Sequence, residues 1–347
     1  MSLRTRRGVS FSTKAAAALA ALSVVVAAWL SLQPHRLGDL YRLVGWTSQW
    51  LSGAHIYGPI SDVDYPPWAI VTLSPLALVP VSLLPFVWGG SNLLALVFVA
   101  RRLAGSRRTM FYLLIAAGTM RTLNQFSLVA LALAVAGATA NESRSWLWLG
   151  LSLMKPQIGL VFWLHALWQR RWPLAARAAV VPLLLTGVYA WRAHVSPLSV
   201  PAAYAQSIAL QYGDILWGQT EWTSGLRTIW PAIPAALLAV GIALIVWAPV
   251  ARWRPPFGFA MASLLAMRHM SYDLILLLPT VATLDGAALW SAVLLMMGDP
   301  SALAGVFLSP DTAIIRHADR FVLGGIWCVG VILAARFRSV SRTKRHP

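Results

Sequence analysis

Where the apolar runs stop is the most informative feature of this chain. Apolar residues recur from Ala15 to Ala335, with no long polar segment between them to fold as a separate soluble domain. The first run, 15–32, is long enough to cross a bilayer, which takes about 20 residues. A basic start before such a run resembles the opening of a signal peptide, but no convincing A-x-A cleavage site precedes the next polar stretch, so it reads as a retained first helix. Beyond the loop 34–66, the stretch to Ala100 is interrupted by Pro75, Pro80 and Pro85. That stretch is too long for one span and short for two.

Three later regions break in a common way. The apolar pattern is interrupted by "RTLNQ", Arg121 to Gln125; by "KPQ", Lys155 to Gln157; and by "RHMSYD", Arg268 to Asp273. The half-runs around the first two hold only about 9 to 15 residues, short of a ~30 Å crossing. This predicts pairs of short helices meeting at polar breaks. Polar groups at such depth are tolerated where they line a protein-enclosed, water-accessible cavity. The loop 34–66, with Tyr41, Trp46, Trp50, Leu51, Ile56 and Tyr57, predicts short helices lying on the membrane surface. A second loop covers 194–230, with Asp214 and Glu221, and a basic tail covers 336–347. The expectation is one all-α domain, 1–347, a transmembrane bundle of about ten crossings whose broken helices line a cavity.

Composition agrees with the pattern. The chain of 347 residues is 58% hydrophobic and 11% charged, where a soluble domain carries about 25% charge. The net charge of +17 would suggest a nucleic-acid partner in a soluble protein. Here the basic residues cluster at the ends of apolar runs: Arg4, Arg6, Arg7 and Lys14; Arg101, Arg102, Arg107 and Arg108; Arg170 and Arg171; Arg252 and Arg254; and the tail. That is the positive-inside pattern, so no nucleic-acid partner is expected. It puts both termini in the cytoplasm, and the two loops and three breaks on the outer side of a plasma (inner) membrane. The single cysteine, Cys328, excludes an intrachain disulfide or a cysteine-based metal site. The histidines show no H-x-x-x-H spacing, so neither metal nor cofactor is expected, with an oxygen-ligated cation on Asp62 and Asp64 as the open alternative.

Lys155 is one of three lysines and lies inside "WLWLGLSLMKPQIGLVFWLHALW". A charge at membrane depth costs about 2.5–3.5 kcal/mol on insertion scales, so it asks for an anionic partner in a polar cavity. A structural pair with Asp273, or snorkelling to the interface, is the plainer reading. Arg121 and Arg268 serve lipid headgroups equally well. A cationic cavity open to lipid suits an amphiphile with a phosphate head. An aspartate at its rim can take a proton from a hydroxyl nucleophile. Together these describe sugar transfer from a lipid phosphate.

The order "GDLYRLVGWTSQWLSGAHIYGPISDVDYPPWAIVTLSPLALVP", "RTLNQFSLVALAL", "SLMKPQIGLVFWLHALWQRRW" and "MRHMSYDLILLLP" resembles glycosyltransferase family 87, the polyprenyl-phosphate-mannose-dependent mannosyltransferases of the GT-C superfamily. The similarity runs from about Leu37 to Pro279. Where the family shows Gly-Gln before the helix that begins at Phe126, this chain has Asn124 and Gln125. The resemblance implies an inverting hexosyl transfer, mannosyl first of all, from a polyprenyl-phosphate sugar to a glycan or glycolipid acceptor, without a glycosyl-enzyme intermediate. Asp39 would activate the acceptor hydroxyl, and Lys155, Arg121 and Arg268 would stabilise charge on the departing phosphate.

Each residue has a plainer alternative. Asp39 fits an N-cap of a helix starting at Leu40. Asp62 and Asp64 fit turn positions, or acceptor binding beside Tyr65. His269 fits a satisfied buried histidine; Gln125 and Gln157 fit either sugar binding or the satisfying of broken helix ends. Trp46, Trp50 and Trp68 fit either sugar stacking or an interfacial belt. Two other function classes compete: a transporter or flippase, against which the absence of an internal repeat and the one-sided breaks weigh, and a non-catalytic envelope subunit, in which Asp39→Asn would be silent. Arabinose or glucose in place of mannose is the variant within the enzyme class.

Overall fold

The computed structural model describes residues 11–31, 37–58, 61–122, 126–140, 142–212, 275–282 and 286–297. The regular elements among these residues are all α-helical or 3₁₀, with no strand among the described residues. In chain order the helices are α1 (Phe11–Ser31), α2 (Gly38–Leu51), α3 (Pro67–Leu73), α4 (Leu84–Ala104), α5 (Arg108–Thr122), α6 (Ser127–Thr139), α7 (Glu142–Ser152), α8 (Pro156–Trp168), α9 (Trp172–Arg192), α10 (Ser199–Tyr212), α11 (Leu278–Val281) and α12 (Gly286–Met297).

Three helices, α1, α4 and α9, are long and apolar enough to cross a membrane. At about 1.5 Å per residue each is ~30 Å long, matching the hydrocarbon core. They leave apolar residues exposed: Leu22, Val25 and Trp29 on α1, and Leu183, Leu184 and Trp191 on α9. Such a surface is costly in water and satisfied by lipid. In the proline-interrupted stretch only α4 is long and apolar enough to cross a membrane. Pro75 stands second in a 3₁₀ turn (Ser74–Leu78) after α3, and Pro85 stands in the first turn of α4, where its missing N–H costs no helical bond.

The helices pack through small residues. α1 lies along α5, with Ala16 and Ala20 buried and Thr13 Oγ1 2.6 Å from Thr109 Oγ1. α7 sits between α6 and α9. A Cβ on Gly150 of α7 would stand 2.6 Å from the Ala178 carbonyl oxygen of α9, so only glycine permits that approach.

Two ends of the bundle emerge. The arginines at 101, 102, 107, 108, 170 and 171 stand at the end of α4, the start of α5 and the turn between α8 and α9. At the opposite end lie α2, α3 and the loop between them. α2 is amphipathic as expected of a surface helix: Leu40, Leu43, Trp46, Thr47 and Trp50 are buried on one face, while Tyr41, Arg42, Ser48 and Gln49 are exposed.

Candidate active site

Two short helices begin side by side at the loop end. Thr122 closes α5 and Ser127 opens α6; α7 closes at Ser152 and α8 opens at Pro156. The second break has a local cause. Residues before proline are pushed out of the α region, and Lys155 accordingly has φ −118° and ψ 90° as the N-cap of α8. Its side chain is 4% exposed. Nζ donates to Ser127 Oγ and lies 5.5 Å from the centroid of the Phe126 ring, a cation–π distance. Lys155 therefore joins the start of α8 to the start of α6. Neither helix start carries a side-chain cap, so both present the positive end of the helix dipole here. The turn before Lys155 is pressed from below: a Cβ on Gly159 would meet the Leu153 nitrogen and the Ser152 carbonyl oxygen at 2.7 Å.

The segment "DYPPW", 64–68, covers this junction. The Tyr65 ring packs 4.9 Å from that of Phe126, and Trp68 Nε1 donates to the Leu153 carbonyl at 2.7 Å. On its other side Tyr65 meets Trp46 edge-on at 5.8 Å, and Trp46 Nε1 donates to Asp62 Oδ1 at 2.9 Å. A run of contacts thus leads from the exposed Asp62 through Trp46, Tyr65 and Phe126 to the buried Lys155.

Further along, the loop is fastened to α9 and α10. Trp50 stacks on Tyr189 at 5.9 Å and donates to its carbonyl at 3.1 Å. The Ile56 N–H donates to the Tyr189 hydroxyl, and the Gly58 N–H to Ser207 Oγ. Tyr57 donates to the Tyr65 carbonyl and Tyr204 to that of Asp64. Burial raises the Tyr57 hydroxyl well above the ordinary phenol value, helped by Tyr189, Tyr204 and Asp64. Burial first and Asp64 second raise Tyr204 likewise, and burial lowers His55. These phenols are structural donors in their neutral form.

Asp39 stands exposed in the first turn of α2. It is not the cap: Leu37 holds that position, without a side-chain cap bond, because the helix starts two residues earlier than the sequence pattern implies. A carboxylate there is still favoured by the helix dipole. Gln157 lies in the first turn of α8 rather than in the break, because Pro156 opens the helix. Of Arg121 only the backbone, in the last turn of α5, is described. Gln125, Arg268, His269 and Asp273 lie outside the described residues, as do Cys328 and the tail 336–347. Sugar stacking on Trp46 or Trp50 is overturned: both rings are buried in the core. Among the described residues no group of three or more His, Cys, Asp or Glu could hold a metal.

Sequence reasoning missed Ser127, Phe126, Tyr189 and Tyr204. The only signal for Ser127 was its place two residues after a polar break; Tyr189 lies in a run that reads as uninterrupted apolar helix, and Tyr204 in the stretch 194–230 that reads as a loop.

Fold and junction together define a helical membrane protein with a buried cation and loop carboxylates gathered at one end of its bundle. The profile of glycosyltransferase family 87 matches residues 64–279, more than half of the chain, and the chain belongs to that family. It is a membrane glycosyltransferase of the GT-C type. The matched region holds "DYPPW" and all three breaks; Asp39 and Asp62 precede it. No curated protein and no solved structure matches the chain.

Proposed function

We propose that the protein transfers a sugar, mannose as the family resemblance implies, from a polyprenyl-phosphate donor to a hydroxyl of a glycan or glycolipid. The transfer takes place on the outer face of the plasma membrane, within a single GT-C-like unit, 1–347, whose termini are cytoplasmic. The observation that supports this reading best is Lys155, buried at two uncapped helix starts beneath a loop that carries carboxylates. A lysine and two helix N-termini suit a phosphate.

In the proposed step Asp39 accepts the acceptor hydroxyl's proton as the oxygen attacks the anomeric carbon. The bond from that carbon to the phosphate oxygen breaks on the opposite face, and polyprenyl phosphate leaves with the electron pair, inverting the centre. A phosphate is a competent leaving group, so the need is for charge stabilisation rather than a strong acid. Lys155, Arg121 and Arg268 take that role. Tyr65, Asp62, Asp64, Gln125, Gln157, His269 and Asp273 line the sugar and acceptor.

The test is transfer by the purified protein in lipid, with radiolabelled polyprenyl-phosphate-mannose and a membrane-lipid extract as acceptor, for wild type and Asp39→Asn. Transfer lost in the variant with donor binding kept supports an Asp39 base. Equal transfer moves the base to Asp62 or Asp64. Neither transfer nor binding of any polyprenyl-phosphate sugar returns the protein to the flippase reading.

A further inference from the structure

The motif "YPPW" is spent on neither a carboxylate nor a cation, yet it touches both broken helices. Tyr65 packs on Phe126, which precedes α6, and Trp68 binds the Leu153 carbonyl, two residues before Lys155. The turn 153–155 needs such a partner. α7 ends in tight turns, with the Leu153, Met154 and Lys155 amides donating to Gly150, Leu151 and Ser152 carbonyls. That leaves the Leu153 carbonyl to point out of the turn, where the Trp68 indole takes it up at 2.7 Å. Gly159 packs against the adjoining Ser152–Leu153 peptide, where a Cβ would meet the Leu153 nitrogen and the Ser152 carbonyl oxygen at 2.7 Å. The Lys155 backbone is thereby held between the first loop and α8.

We infer that Trp68 is a positioning residue for Lys155: its indole N–H sets the turn that places Nζ, so the loop that receives the acceptor also fixes the group that holds the donor phosphate. This rests on the proposed contact between Lys155 and phosphate. The chemistry follows from geometry. Phosphate recognition by a lysine depends on where a single point charge sits, and a displacement of about 1 Å at a positioned group costs on the order of 100-fold in rate. Trp68 is half-buried and Leu153 buried, so the bond is shielded from competing water. The Pro66–Pro67 pair stiffens the link, since α3 starts at Pro67 and Trp68 stands in its first turn.

The experiment is a double-mutant cycle read by binding of farnesyl phosphate to the full chain in nanodiscs, with Trp68→Phe, Lys155→Met and both together. Trp68→Phe keeps an aromatic ring but removes the N–H together with the five-membered ring that carries it. It is expected to weaken farnesyl phosphate about tenfold and to raise the donor KM while leaving the acceptor KM unchanged. Lys155→Met is expected to weaken binding further, and adding Trp68→Phe to it to change nothing more, because the indole acts through the lysine. Where Trp68→Phe does not fold, benzothienylalanine at 68, which keeps the bicyclic ring and lacks the N–H, supplies the same comparison. Wild-type binding in the Trp68 variant, or losses that simply add, overturns the positioning role. Undiminished binding by Lys155→Met removes the phosphate reading itself, and this inference with it.

Discussion

The two ends of the bundle handle positive charge in opposite ways. At the arginine end Arg101, Arg102, Arg107, Arg108 and Arg170 are exposed. Arg102 lies over the Phe98 ring one turn back, and Arg107 donates to the Leu103, Ala104 and Ala282 carbonyls. At the loop end Lys155 is buried against a serine and a ring, beneath aromatic residues drawn from a distant part of the chain. Many exposed cations orient a membrane protein. One buried cation, kept at a cost, marks where chemistry is expected. The net charge, dominated by the first kind, is silent about the second.

The sharpest way to break this comparison is to neutralise each end in turn. Lys155→Met is expected to reduce sugar transfer by about 100-fold or more, as when a preorganised stabilising group is lost, measured as kcat/KM for the donor. Next comes Gly159→Ala, which forces a methyl into the peptide beneath Lys155. Overpacking of this kind costs about 1–3 kcal/mol, to be read as a lower midpoint of thermal unfolding in detergent together with a raised donor KM. The loop clasp should respond to pH more gently. Tyr57 and Tyr204 have folded values raised above the ordinary tyrosine value of about 10. Their contribution is therefore complete below about pH 10 and lost as pH rises from there through the folded values. Tyr57→Phe is expected to flatten that loss in a stability–pH profile. The smallest effect is expected at the arginine end, where Arg101→Gln with Arg102→Gln should change turnover by no more than about twofold, measured in nanodiscs after confirming insertion.

The helical class and the break at Lys155 were legible because they depend on local rules. An apolar run reports its own burial, and Lys155 before Pro156 stops a helix whatever surrounds it. That α4 alone in this stretch is long enough to cross was not legible, because Pro75 and Pro85 look alike in sequence: one ends up in a 3₁₀ turn and the other in a helical first turn, where it does no harm. The tryptophans' partners were not legible for a different reason. Composition makes a loop tryptophan look like an interfacial or sugar-facing ring. Whether its N–H finds Asp62, the Tyr189 carbonyl or the Leu153 carbonyl is decided by residues up to 139 positions away. Ser127 was hidden likewise, since nothing within α6 announces the lysine that comes to it from 28 positions on.

The reach of the first loop bears on how this family can be recombined. The loop is contiguous in sequence, yet its bonds go to positions 85, 139 and 149 residues downstream, in the α7–α8 turn, α9 and α10. Grafted alone from a relative, 37–68 would arrive without its carbonyl and hydroxyl partners. The smallest transplantable cassette is thus the chain from 37 to 207, and shorter chimaeras should fail by misfolding.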